Sequence, residues 1–150
     1  LFLLIVAIAF VQSPVVFAEE SLYKRESEVI YGRKHGLAMT LDVFRPLAKR
    51  NGRGVVFAVS GGWFSAQKNI DGIARRSNWL ELINRGYTLF AVVHGSQPKF
   101  TVPEIRKDMH RAVRFIRHNA KAYGIDPERI GIFGGSGWRA SVVDAGNRRA

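Results

Sequence analysis

Apolar and polar residues follow a regular order along this chain. Two alternating runs, SEVIYG and LAMTLDVFRP, are joined by RKHG, with Gly36 and Pro46 as turn and strand-end signals. This pattern predicts an antiparallel β pair at the edge of a sheet. Continuous apolar runs at 54–60, 87–93 and 129–133 predict three further strands that are buried on both faces.

Helical periodicity separates the three buried strands. The apolar positions of the predicted helix 70–85 are Ile70, Ile73, Ala74, Leu80, Leu82 and Ile83, and Gly86 can end it in the left-handed conformation. The predicted helix 101–124 opens with Thr101 and Glu104 at capping-box spacing. Its apolar face comprises Ile105, Met109, Ala112, Val113, Ile116 and Ala120. The order β-β-β-α-β-α-β predicts an α/β fold, in which a hairpin leads into a mainly parallel sheet with helices on both faces.

The first 18 residues are typical of a secretory signal peptide and are left out of the fold prediction. Residues 1–11 are uncharged and apolar, which is too short a run to span a bilayer. Val16 and Ala18 then provide small residues at the −3 and −1 positions of a cleavage site before Glu19. We therefore expect export to the periplasm or the extracellular space and no stable membrane span. An uncleaved N-terminal anchor is the alternative.

Composition narrows the classes of chemistry. The chain has 150 residues, of which 47% are hydrophobic, and no cysteine, so it is globular and has neither disulfides nor thiolate ligands. Its net charge of +11 is compatible with binding to a nucleic acid. However, no basic block with interleaved aromatic residues occurs, and the charge is interpreted as a solvated surface. No His, Asp and Glu cluster has metal-ligand spacing.

Two glycine-rich turns follow buried strands. GGSG places Ser136 directly after the run 129–133, where a sharp strand-to-helix turn would expose a nucleophile. SGGWF places Gly61 and Gly62 after the run 54–60, where backbone N–H groups could bind an oxyanion. GGSG alone is common in loops, although its position after a buried strand supports the nucleophile turn, and SGGWF alone favours an ordinary glycine-rich turn. Because both lie at the carboxyl ends of strands, they would face one crevice.

Four segments together resemble a known family in their order and content: LDVFRP, VVFAVSGGWF, RGYTLFAVV and YGIDPERIGIFGGS. They resemble the α/β-hydrolase esterase and lipase family, in particular its hormone-sensitive-lipase-like and feruloyl or acetyl-xylan esterase-like members. The resemblance implies a cofactor-free Ser-His-Asp mechanism with Ser136 as the nucleophile. It also implies an oxyanion hole lined by Gly61, Gly62, Trp63 and the N–H of Gly137. Ser60 departs from the family, which often has His there.

The family order places the triad acid and histidine after the serine, whereas His35, His94, His110 and His118 all precede Ser136. His35 is interpreted as a hairpin residue and His118 as a solvated helix residue. For His94, at the end of a strand near the crevice, a contact with substrate remains open. Asp108 is interpreted as structural and Asp42 as a strand-edge residue.

The segment after Ser136 does not match the helix that the family would have there. We expect residues 19–137 to be a partial α/β-hydrolase domain and residues 138–150 to be an out-of-frame tail. Trp138 has one codon, TGG, and its last two bases followed by the first base of an arginine codon encode glycine. A shift of frame therefore restores G-x-S-x-G. A natural, divergent tail is the alternative.

The sequence thus predicts an exported serine hydrolase that cleaves a small-molecule or polysaccharide-linked carboxylic ester, inactive as written because the triad is incomplete. A peptidase of the same fold and a non-catalytic binding domain are the alternatives. No cofactor is expected.

Overall fold

The computed structural model describes residues 21–134 as a mixed sheet with helices on both faces. The strands are β1 Tyr23–Lys34, β2 Leu37–Pro46, β3 Gly54–Ala58, β4 Thr88–Val92 and β5 Ile130–Gly134, and the helices are α1 Asn69–Ala74, α2 Ser77–Asn84, α3 Val102–His118 and α4 Ala120–Tyr123. Across the sheet the order is β1-β2-β4-β3-β5. β2 is antiparallel to β1 and β4, and β3 is parallel to β4 and β5. The predicted fold class is confirmed.

The hairpin between β1 and β2 turns at two residues in the left-handed region. His35 has φ 47° and Gly36 has φ 77°, a combination typical of a type I′ turn, whose twist matches that of paired strands. β1 is also irregular, because its register against β2 shifts between Glu26 and Val29 and again between Ile30 and Gly32. The predicted antiparallel pair is therefore present, with bulges in its outer strand.

Each face of the sheet buries its own apolar cluster. α3 and α4 cover one face with the predicted residues Ile105, Met109, Ala112, Val113, Ile116 and Ala120, all of which are buried. On the other face, under α1 and α2, the Phe44 ring meets Tyr23 and Trp79 edge-on at centroid distances of 5.1 and 5.3 Å. Such aromatic contacts add to the free energy of burial. The two clusters fix both layers of helices.

The prediction of one helix over 70–85 is wrong, because the chain breaks between α1 and α2. Arg76 is extended, with φ −72° and ψ 142°, and α2 begins after it. In an unbroken helix Trp79 would lie about 140° around the axis from Ala74. The break instead lets both residues face the same core, where Trp79 is 5% exposed. Leu80, predicted on the core face, is only half-buried.

The predicted start of α3 is confirmed, but the last turn of the predicted helix 101–124 forms the separate short helix α4. The Thr101 N–H donates to the Glu104 carboxylate at 2.8 Å, which completes the capping box and lowers the pKa of Glu104. Asn119 then separates α3 from α4, and its side-chain amide donates to the Phe115 carbonyl at 2.8 Å. α4 ends at Gly124, with φ 66°.

Gly86 ends α2 with φ 86°, and a Cβ there would lie 2.5 Å from the Lys49 carbonyl oxygen. Gly86→Ala therefore combines backbone strain with a clash against main chain, and we expect it to lower the free energy of unfolding by about 2–4 kcal/mol. Gly36→Ala is the matched control, since Gly36 has φ 77° with nothing within 4 Å, and it should cost about 1 kcal/mol. Urea unfolding of both variants measures the difference, and equal losses would contradict the assignment of a clash.

Candidate active site

A tight turn follows β3 at the carboxyl edge of the parallel strands. Gly61 and Phe64 exchange both backbone hydrogen bonds, at 2.9 and 3.0 Å. Between them, Gly62 has φ 56° and Trp63 has φ 66°. Two successive positive φ values define a type I′ turn, which suits glycine at the first position and strains tryptophan at the second. We call residues 61–64 the glycine turn.

The glycine turn uses two of its N–H groups in its own closure, whereas the Gly62 N–H has no acceptor within residues 21–134. The Gly61 N–H donates to the Phe64 carbonyl, and the Phe64 N–H donates to the Gly61 carbonyl. The Gly62 N–H donates to no atom of residues 21–134, and a Cβ at Gly62 would meet nothing within 4 Å. A backbone N–H that has no acceptor within the chain can bind an anionic oxygen. Of the predicted oxyanion-hole residues, Gly61, Gly62 and Trp63 thus lie together in one turn.

Ser65 ties the glycine turn to the segment that follows β4. Its N–H donates to Ser96 Oγ at 2.9 Å, and Ser96 Oγ donates to the Ser65 carbonyl at 3.0 Å. Ser65 Oγ also accepts the His94 N–H at 3.1 Å, and the Gln97 N–H reaches the Trp63 carbonyl at 3.3 Å. The turn is therefore held from the β4 side by four hydrogen bonds.

A pocket of about 420 Å³ opens beside the glycine turn, between the start of β2 and the segment after β4. Its apolar lining includes Leu37, Met39, Phe64, Val93 and Phe100, and its polar lining includes Thr40, Ser96, Gln97 and Lys99. Phe64 belongs to both the pocket and the turn. The pocket can therefore accept an apolar group beside Phe64, at the end of the glycine turn.

Asp108 fixes the wall of this pocket, as expected of a structural residue. It is 3% exposed and forms an ion pair with Lys34 at 3.0 Å, and it accepts the Gly95 N–H at 3.1 Å. The Lys34 ammonium also lies 4.0 Å from the centre of the Phe100 ring. A Cβ at Gly95 would lie 2.6 Å from Phe100 and 3.1 Å from the Asp108 carboxylate, so this wall has no room for a side chain at that position.

His94 lines the pocket but is almost fully buried, with 3% exposure. Its Nδ1 lies 2.6 Å from the Gly95 carbonyl oxygen. Burial lowers the pKa of His94 below its ordinary value of 6.5, although that hydrogen bond opposes the shift. His35 and His118 lie exposed in the hairpin turn and on α3, as predicted.

Ser136 and Gly137 lie outside the described residues, as do the predicted signal peptide and tail. β5 runs parallel to β3 with Gly134 opposite Ala58, so both strands end at the same edge of the sheet. Residues 21–134 contain no group of three acidic or histidine side chains that could hold a metal ion. Within that same range, no helix is long and apolar enough to cross a membrane.

The BD-FAE family profile matches residues 41–140, which include both glycine-rich motifs. The chain belongs to the BD-FAE family. It is 31% identical over 117 residues to the probable carboxylic ester hydrolase LipM of Mycobacterium tuberculosis (strain ATCC 25618 / H37Rv), covering 76% of this chain and 26% of LipM. It is 32% identical over 113 residues to esterase LipQ of the same strain, covering 73% of this chain and 26% of LipQ. The chain thus spans about a quarter of the length of these curated relatives.

Solved structures share the fold of this BD-FAE chain. A truncated form of a carbohydrate esterase from gut microbiota is 27% identical, with a TM-score of 0.65 over 79% of this chain and 41% of that chain. A hyperthermophilic esterase from the archaeon Pyrobaculum calidifontis is 23% identical and supports the fold alone, with a TM-score of 0.66 over 83% of this chain and 39% of that chain. The resemblance to esterases of the α/β-hydrolase fold is confirmed.

Sequence reasoning missed the environment of Asp42. The interpretation of Asp42 as a strand-edge residue is wrong, because β2 lies inside the sheet and the side chain has no exposed surface. Its carboxylate accepts hydrogen bonds from Arg25 and from Gln67, which follows the glycine turn. Neither partner is near Asp42 in sequence. A charged residue inside an apolar strand was the one available signal.

The lowered pKa of His94 predicts how stability depends on pH. As the pH falls below about 6.5, the unfolded chain takes up this proton before the folded protein does, so folding stability is lost toward acid. Between pH 7.5 and 5, we expect the melting temperature of His94→Asn to fall by less than that of the wild type. His118→Asn, at an exposed position, should follow the wild-type curve. Parallel curves for the wild type and His94→Asn would contradict the burial effect.

Proposed function

We propose that this protein is a serine hydrolase that cleaves carboxylic esters through an acyl-enzyme, with Ser136 as its nucleophile. The observation that carries the proposal is the glycine turn at the carboxyl edge of β3, in which the Gly62 N–H has no acceptor among residues 21–134, in a chain of the BD-FAE family. Membership of that family and similarity to LipM and LipQ support an ester as the substrate. A peptidase would need the same oxyanion site, and the relatives favour the esterase.

In the proposed reaction, Ser136 Oγ attacks the acyl carbon while a histidine base takes its proton, and the carbonyl oxygen becomes an oxyanion. The Gly62 N–H would donate to that oxygen, together with the N–H of Gly137. Collapse releases the alcohol, which takes the proton from the histidine, and water then hydrolyses the acyl-enzyme. We assign the base to none of the four histidines, because all precede Ser136 and His94 is buried against Gly95.

The pocket beside Phe64 supports a substrate with a compact apolar group on one side of the ester bond. Its volume of about 420 Å³ suits a short aliphatic chain or a single aromatic ring. We propose a small-molecule or polysaccharide-linked ester. The carbohydrate esterase of similar fold supports the second of these.

Gly62→Ala tests the oxyanion site. An alanine at φ 56° would be strained, and relief of the strain would turn the N–H away. We expect kcat for p-nitrophenyl acetate to fall by about 10- to 100-fold in the protein expressed from its full gene. Gly52→Ala is the matched control, since Gly52 has φ 70° and nothing within 4 Å.

Ser136→Ala should abolish the same hydrolysis, together with labelling by a fluorophosphonate serine probe. Hydrolysis that persists in Ser136→Ala would refute the nucleophile. An inactive wild type that still binds esters would favour a non-catalytic binding domain.

We further propose that the protein is exported and that residues 1–18 are removed. The uncharged apolar run and the small residues Val16 and Ala18 support this proposal. N-terminal sequencing of protein recovered outside the cytoplasm should begin at Glu19. Recovery with residues 1–18 attached to a membrane fraction would favour the uncleaved anchor.

A further inference from the structure

Asp42 is a buried carboxylate that joins three segments of the chain. It lies in β2, and its side chain has no exposed surface. Oδ2 accepts a hydrogen bond from Nε of Arg25 on β1 at 2.7 Å, and Nη2 of the same guanidinium forms an ion pair with it at 2.7 Å. Oδ1 accepts the Glu28 backbone N–H at 2.9 Å, at the register shift of β1. It also accepts the Gln67 side-chain amide at 2.6 Å.

Arg25 extends this group of contacts to α1. Its second terminal nitrogen donates to Asp71 at 2.5 Å. Burial opposes the charge on Arg25, but the hydrogen bonds to Asp71 and Asp42 outweigh burial, and the pKa of Arg25 is raised. The same hydrogen bond lowers the pKa of Asp71. Both residues therefore stay ionised at neutral pH, and the negative charge of Asp42 has a permanent counter-ion.

Gln67 is the point at which this group meets the candidate active site. It lies three residues after Phe64, on the segment that leads from the glycine turn to α1. Its amide nitrogen faces Asp42, and its Oε1 is buried without a hydrogen-bond partner among residues 21–134. If the Gln67 amide were flipped, its oxygen would face an oxygen of Asp42. The charge of Asp42 therefore fixes the orientation in which the amide nitrogen faces the carboxylate. A hydrogen bond to a buried charge is stronger than a neutral one.

The glycine turn is thus held from two sides. Ser65 ties it to the segment after β4, and Gln67 ties its exit to β2. Trp63 keeps a left-handed conformation that a non-glycine residue adopts only under constraint from its surroundings. With the exit anchor removed, the turn could relax and the Gly62 N–H would change direction.

We infer that Asp42 and Gln67 are positioning residues for the oxyanion site, holding the glycine turn in its strained conformation from the β2 side. This role rests on the proposed function. It requires only the contacts above and adds no group to the chemistry. Oxyanion stabilisation depends on donors that are fixed before the reaction, so loss of the anchor should affect kcat more than KM.

Gln67→Ala tests this inference in the protein expressed from its full gene. We expect kcat for p-nitrophenyl acetate to fall at least about tenfold, with KM changed less than about twofold. Gln67→Glu should lower kcat further, because it places a second carboxylate against Asp42. Asn51→Ala is the matched control, since Asn51 also makes side-chain hydrogen bonds, to Arg85 and Arg53, at the opposite edge of the sheet.

Amide hydrogen exchange of residues 60–66 gives a measurement that does not need activity. The Gly61 and Phe64 amides close the glycine turn, and Gln67→Ala should speed their exchange about tenfold, whereas Asn51→Ala should not. Unchanged exchange in Gln67→Ala would overturn the inference even if the wild type were inactive. The inference would also be overturned if kcat fell in proportion to the melting temperature, and to the same extent in Gln67→Ala as in Asn51→Ala. Failure of the proposed function alone would appear as an inactive wild type, or as hydrolysis that does not depend on Ser136, while amide exchange is still faster in Gln67→Ala.

Discussion

The burial of β4 on both faces is the constraint on which the rest of the molecule depends. All five of its residues are buried, between antiparallel β2 and parallel β3. A parallel neighbour requires a crossover connection, and two covered faces require helices on each side. The chain therefore leaves β3 and β4 at the same edge, where the glycine turn and the pocket meet. The position of the candidate active site follows from how this strand is covered.

Much of this arrangement is predictable from the sequence because it is local. The periodic apolar face of α3 and its capping box are complete within a few turns of helix, and the structure has both. The break between α1 and α2 has a cause outside the local sequence. It depends on contacts of Trp79 with Phe44 and Phe57, which lie on strands remote in sequence. Propensity and periodicity contain no information about such partners.

The same distinction applies to the candidate site. The position of two glycines after a buried strand predicts a turn with accessible N–H groups, and the glycine turn is there. The sequence could not predict that Gly61 uses its N–H within the turn and that Gly62 does not. Nor could it predict the partners of Asp42, because the bulge in β1 that brings the Glu28 N–H to this carboxylate depends on pairing with β2.

The contact between Gly95, Phe100 and Asp108 has a consequence for how the pocket could diversify among descendants of this sequence. On that wall no larger residue fits at position 95, and any change must move the ion pair with Lys34 as well. Leu37 and Phe64 also line the pocket, and at 41% and 57% exposure a larger side chain at either position can extend into solvent. Selection for new substrates would therefore act first on the side chains at positions 37 and 64, while the wall beside α3 stays constant.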